Sequence, residues 1–226
     1  CFAADGDLDT FFNAGVVWRG GAVFDAAVQT DGKIIIGGNF TVVGGRSYNC
    51  LARLNTDGSL DTTFNIGRGA NTGGQTVGCN GGVSAVAGQK EGKNLVGGGF
   101  SAFRTNRTSD PEGRPARLHP DGSLDTTFIG VGPTGPSGIV DDIVVQPDGK
   151  ILIASFNMFA YNGTPVGRFA RINTDGSLDT TFNNNLGAGF NASTKKIVLQ
   201  SDGKILVGGT FQTVNGTSSR GIARLE

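Results

Sequence analysis

Few residues in this chain are equipped for chemistry, and most of those recur. Its 226 residues contain one histidine, His119. It occupies the slot that Asn55 and Asn173 hold in two sister phrases, so it reads as a turn residue rather than a base. One imidazole leaves no material for a Ser-His-Asp triad or a His-based metal centre. Cys-x-x-Cys, His-Glu-x-x-His and phosphate-loop patterns are absent. Asp141 and Asp142 are adjacent carboxylates, and in a regular strand neighbours point to opposite faces, which does not make a catalytic pair. The chain is therefore expected not to be an enzyme.

Hard-cation chemistry is the one metal option. Asn-x-Asp-Gly-x-x-Asp occurs at Asn55, Asp57, Gly58, Asp61 and again at Asn173, Asp175, Gly176, Asp179. It is similar to part of the calcium loop of integrin-type propellers, where oxygen ligands alternate and Gly makes the sharp turn. The first acidic ligand is missing, because Arg53 and Arg171 stand in its place. The alternative is an Asx turn in which Asp caps its own backbone, with Asp61 pairing an arginine of the Ala-Arg-Leu phrase. No cofactor is otherwise expected. Three cysteines, Cys1, Cys50 and Cys79, leave one unpaired or used between chains. Cys50 and Cys79 are the candidate disulfide across neighbouring repeats, and Cys1 is a candidate for lipidation or an inter-chain bridge.

These residues sit in phrases that repeat. Asn-Thr-Asp-Gly-Ser-Leu-Asp-Thr-Thr-Phe fills 55–64 and 173–182, with variants at 119–128 and at Asp5–Thr10. Asp-Gly-Lys followed by aliphatics recurs at Asp31, Asp148 and Asp202, with Glu91-Gly92-Lys93 in the remaining copy. The Asp-Gly of the first phrase begins at 5, 57, 121 and 175, giving steps of 52, 64 and 54 residues. Such periods mean one supersecondary unit per repeat. Apolar runs flank Asp-Gly at Phe24–Phe40 and Cys50–Phe64, which predicts two hairpins per repeat. No stretch has the 3.6-residue period of a helix.

The predicted fold is all-β, a β-propeller of four four-stranded antiparallel blades in a single domain, 1–226. The repeats are placed at 13–64, 65–128, 129–182 and 183–226, with 1–12 completing the last blade. Ring closure is expected from Leu8–Phe12 pairing with the last blade. A linear β-solenoid, a longer array and half of a dimeric ring are the alternatives. Ala-Arg-Leu-Asn-x-Asp-Gly-Ser-Leu-Asp-Thr-Thr-Phe and Val-x-Gln-x-Asp-Gly-Lys-Ile-Leu-Val-Gly-Gly-x-Phe resemble the bacterial delta-60 repeat family. That resemblance covers nearly the whole chain and implies propeller repeats of large secreted or surface proteins.

Nineteen basic and nineteen acidic residues cancel, which argues against a nucleic-acid partner. No apolar run is long enough for a membrane span. The repeated Lys33, Lys93, Lys150 and Lys204 read as solvated edge charges. What does not recur is informative. The loops after the second and fourth strands of each repeat vary, and function on repeat scaffolds lies with such loops. Their face is expected to carry Trp18, Arg19, Arg46, Tyr48, Phe103, Arg104, Arg107, Phe159 and Tyr161. Aromatics beside arginines suit a glycan or a protein ligand. The expected function is a non-catalytic secreted or bacterial cell-surface binding module. A building block of a surface fibre or adhesin, with self-association, is the second expectation, and a glycan-active enzyme the third.

Overall fold

The computed structural model describes residues 5–12, 16–17, 21–66, 69–71, 81–100, 102–104, 115–128 and 138–226. Four three-stranded antiparallel sheets of longer strands follow one another along the chain, and a fifth, of two-residue strands, joins Val16–Val17 to Val42–Val43 and Arg46–Ser47. The first holds β1 (Val23–Val28), β2 (Ile34–Gly38) and β3 (Leu51–Leu54). The second holds β4 (Val83–Gly88), β5 (Asn94–Gly98) and β6 (Ala116–Leu118). β7 (Val140–Val145), β8 (Ile151–Ser155) and β9 (Phe169–Ile172) form the third. β10 (Thr194–Leu199), β11 (Ile205–Gly209) and β12 (Ile222–Leu225) form the fourth. In each sheet the middle strand in sequence is also the middle strand in space.

The Asp-Gly hairpins form as the sequence predicts. Gly32, Gly149 and Gly203 turn the first two strands at φ of +81°, +87° and +87°, which a Cβ would resist. Successive sheets pack through their first strands, β1 on β4, β4 on β7 and β7 on β10. One apolar cluster fills each of the three junctions. The first holds Ile35, Leu51, Val83 and Val96; the second Leu95, Val140, Ile143 and Ile153; the third Leu152, Phe169, Ile197 and Val207.

Three expectations are corrected. The predicted fourth strand of the first three blades is not a strand, since Leu60, Leu124 and Leu178 each make one isolated bridge to the end of their own sheet. The Asp that follows turns the chain instead, because its side chain accepts from backbone N–H groups two or three residues on. In the third repeat this turn continues as a short helix, α1 (Thr180–Leu186), capped by Asp179. No periodicity announced it: its cap and the seating of Phe182 and Leu186 against the third cluster hold it.

Ring closure by Leu8–Phe12 is likewise not found. β12 pairs with β11 alone among the described residues, and Leu8 and Phe11 are exposed. The closure argument assumed a fourth strand that this phrase does not make in its sister copies.

The variable loops also hold more order than expected. Val42–Val43 pairs Arg46–Ser47, Ala160–Tyr161 pairs Thr164–Pro165, and Thr213–Val214 pairs Thr217–Ser218. Two of these hairpins turn on Asn-Gly with positive φ at both positions, Asn162 and Gly163 in one and Asn215 and Gly216 in the other. That is the mirror-image turn which matches strand twist, and the Asn-Gly signal was present in the sequence.

Candidate functional site

The recurring charged residues are consumed inside the blades. Asp61 Oδ2 accepts from Lys33 Nζ and Arg53 Nε, each at 2.8 Å, while Oδ1 accepts from the Thr63 backbone N and hydroxyl. Asp125 repeats this with Lys93, Arg117 and Thr127, and Asp179 does so with Lys150 and Arg171. Each arginine also lies over the Phe that ends the phrase, at 4.6 Å for Phe64, 4.5 Å for Phe128 and 4.1 Å for Phe182. Burial pushes the Asp61 and Asp125 carboxyls up, but the Lys, Thr and Arg donors outweigh it and hold both below the ordinary carboxylate range.

The expected pairing of Asp61 with an arginine is thus present. The lysines, expected as free edge charges, are members of the cluster, because the first hairpin brings Lys33 across to Asp61. Lys204 pairs with Glu226 instead.

In the cation-like turns, Asp57 Oδ1 accepts from Ser59 N and Oγ, Asn55 donates to Ser59 Oγ, and Asp175 and Asn173 do the same with Ser177. The Ser59 hydroxyl, then its N–H, holds the Asp57 carboxyl low. The oxygens of Asp57 and Asp61 face different donors, so the geometry is an Asx turn beside an ion cluster. Among the described residues, no three His, Cys, Asp or Glu side chains gather as a metal site. Cys50 is disulfide-bonded; its candidate partner Cys79, and Cys1, lie outside the described residues.

The expected ligand-binding residues are scattered. Trp18, Arg19 and Arg107 lie outside the described residues. Phe103 and Arg104 lie on a short strand, Ala102–Arg104, paired with Gly69–Asn71. Arg46 and Tyr48 line a cleft of about 330 Å³ with Asn49, Thr62 and Asn65. Tyr161 is removed from the surface set: it is fully buried, and its hydroxyl donates to the Gly176 carbonyl at 2.7 Å. Its place in a hairpin that folds back onto the second cluster puts it in the core. Phe159 is exposed, with the Arg168 guanidinium 4.9 Å above its ring.

A further set was not visible as a set in the sequence. Every first strand carries a bulge at the same place, between Val23 and Asp25, Val83 and Ala85, Val140 and Asp142, and Thr194 and Lys196. The extra residue is Phe24, Ser84, Asp141 and Lys195 in turn. Bulges re-aim a side chain out of the ladder, and here four different chemistries stand at one register along neighbouring inner strands.

Lys195 Nζ meets Asp141 Oδ1 at 2.7 Å and lies 4.8 Å over the Phe156 ring. The bulge also directs Asp141 and Asp142 toward the same sheet, Asp142 Oδ2 accepting from Ile197 N at 2.8 Å. Burial, opposed by that bond, raises the Asp142 carboxyl. Phe24, Phe156 and Phe159 are all more than half exposed, at 52%, 51% and 60%. The signal available in sequence was non-recurrence, four unlike residues after a position that is Val in three of the four copies, but it needs the bulge to acquire meaning.

A cleft of about 520 Å³ lies instead at the short turns, lined by Gln89, Lys90, Lys93, Arg117, Gln146 and Asp148. Its cations are occupied: Lys90 donates to the Pro147 carbonyl, and Lys93 and Arg117 are held by Asp125. It is a seam between blades, and Gln89, Lys93, Arg117 and Gln146 in its lining recur from repeat to repeat.

No curated protein matches this chain. Solved structures similar to it include a protein of unknown function from Bacteroides caccae, with 14% identity over 84% of this chain and 57% of that one, at a TM-score of 0.46. Another is the extracellular domain of a protein described as a one component system from B. thetaiotaomicron, with 14% identity, 89% and 21% coverage, and a TM-score of 0.46. A third is a catalytically inactive virginiamycin B lyase variant from Staphylococcus aureus with quinupristin, with 15% identity, 97% and 57% coverage, and a TM-score of 0.47. The chain spans between about a fifth and little more than half of these longer proteins. Four stretches, 29–64, 89–128, 146–182 and 200–226, match one family model, one in each repeat. The chain belongs to that family, described as "Domain of unknown function (DUF5122) beta-propeller".

Proposed function

We propose that this chain is a non-catalytic binding module of a secreted or cell-surface protein, and that it takes a glycan or protein ligand on the face bearing the bulge residues. One observation carries the reading. The repeated acidic residues of the Leu-Asp-Thr-Thr-Phe phrase are all spent on internal partners, whereas exposed aromatics and an ion pair that do not repeat gather around the bulges: Phe24, Asp141, Lys195, Phe156 and Phe159. Exposed rings beside charges stack on the apolar faces of sugars or anchor protein side chains. The disulfide at Cys50 supports an oxidising compartment.

The test is a glycan array followed by calorimetric titration of the best ligand into the wild-type chain, Phe156→Ala and Phe159→Ala. The expected result is binding that weakens at least tenfold in a variant with unchanged thermal stability. A ligand held equally well by both variants sinks the site, and turnover of that ligand sinks the non-catalytic reading.

A further inference from the structure

Three departures in the second repeat fall around one turn, and that turn borders the cleft between the second and third sheets. At the last position of the first strand the repeats carry Val28, Gly88, Val145 and Leu199, each paired with the first residue of its second strand. Glycine in a strand marks a bulge, the close approach of another backbone, or a place that a ligand approaches. The bulge of this strand lies elsewhere, between Val83 and Ala85. Backbone is not close either, since a Cβ on Gly88 meets nothing within 4 Å. The missing side chain opens onto the cleft of about 520 Å³, where Val145, Pro147 and Leu199 supply apolar wall.

The second departure is Glu91. Asp31, Asp148 and Asp202 hold its place in the sister turns, and each accepts through Oδ1 from the backbone N of the lysine two residues on. Glu91 instead sits at φ +74°, the left-handed region that a residue with a Cβ avoids. It is exposed, it lines the cleft, and its carboxylate has no partner among the described residues. Strained backbone of this kind gathers at ligand clamps. The third departure is Asn94, where the sisters carry Ile34, Ile151 and Ile205. It is buried, donates to the Gly92 carbonyl and accepts from Gln29 Nε2, which holds the turn that presents Glu91.

The other charges of the lining have partners. Lys90 donates to the Pro147 carbonyl, Lys93 and Arg117 are held by Asp125, and Arg117 also donates to the Thr174 carbonyl. Asp148 caps its own turn. We infer that this cleft binds a small molecule with a compact apolar body and an amine. The body fills the place of the side chain absent at Gly88, against Val145 and Leu199, and the ammonium pairs with Glu91. An amine is the complement because the cleft's own cations already have acceptors, whereas Glu91 has no donor. The volume is of the size that takes small molecules. The site lies at the ends of the first strands opposite their bulges, so it is separate from the face bearing Phe24, Asp141 and Lys195.

The experiment is titration of the 226-residue chain, with its valine and leucine methyls labelled for NMR, by three probes of one shape: 2-phenylethylamine, 2-phenylethanol and phenylacetate. The expected result is a saturable shift of the Val145 and Leu199 methyls with the amine. The alcohol binds about fivefold more weakly, the size of an exposed ion pair, and the carboxylate more weakly still. Glu91→Gln brings the amine down to the level of the alcohol. Gly88→Leu, which installs the side chain of the fourth repeat in open space, keeps the melting temperature and abolishes binding of both. Methyls that do not respond, phenylacetate bound as well as the amine, or either variant binding the amine like wild type overturns the inference.

Discussion

Asp125→Ala is the sharpest test of how these blades are held. The carboxylate is fully buried and accepts from Arg117 Nε at 2.8 Å, Lys93 Nζ at 3.0 Å, and both the backbone N and the hydroxyl of Thr127. Removing it strands a guanidinium whose side chain is 10% exposed. Breaking a buried pair from one side costs about 3–5 kcal/mol; the partial exposure of Lys93 places the expectation at about 3 kcal/mol. With a urea slope of about 2 kcal/mol per molar, the midpoint falls by about 1.5 M.

Asp121→Ala is the internal control. Asp121 also accepts from a hydroxyl and an N–H, those of Ser123, but on the exposed turn, and its removal costs about 1 kcal/mol or less. The sign with pH follows from the depressed carboxyl of Asp125. Its stabilisation is complete above the unfolded pKa of about 4 and is lost as pH falls below it. The difference between wild type and Asp125→Ala therefore shrinks in acid. An Asp125→Ala midpoint no lower than that of Asp121→Ala, or a difference that grows in acid, refutes the assignment of the cluster as the blade's main polar tie.

Three further outcomes follow from the geometry. Tyr161→Phe loses the bond to the Gly176 carbonyl and lowers stability by about 1 kcal/mol, read as a lower melting temperature. Gly97→Val drives a side chain into Val140 and Ile143 and costs at least about 2 kcal/mol by urea unfolding, whereas Gly208→Ala, with open space around it, leaves the fold of the single chain unchanged. Reduction, or Cys50→Ser, removes the disulfide and lowers stability by about 2–4 kcal/mol, and wild type and variant then melt together in reductant.

The amino-acid sequence by itself determined the repeat, the Asp-Gly hairpins and the all-β class, because those rest on local backbone preferences and a two-residue period. It also carried the Arg53–Asp61 pairing, since both residues recur at a constant spacing of eight. The fate of the Leu-Asp-Thr-Thr-Phe phrase was beyond it. That phrase alternates like a strand, yet Asp61 finds more hydrogen bonds by turning the chain beneath two cations than a fourth ladder offers. Tyr161 shows the same limit: an aromatic in a variable loop reads as a surface residue, and only the folding back of its hairpin buries it. The row of Phe24, Ser84, Asp141 and Lys195 exists only once four bulges are set at one register. Local sequence specifies what a strand is; long-range packing decides which of its faces meets another.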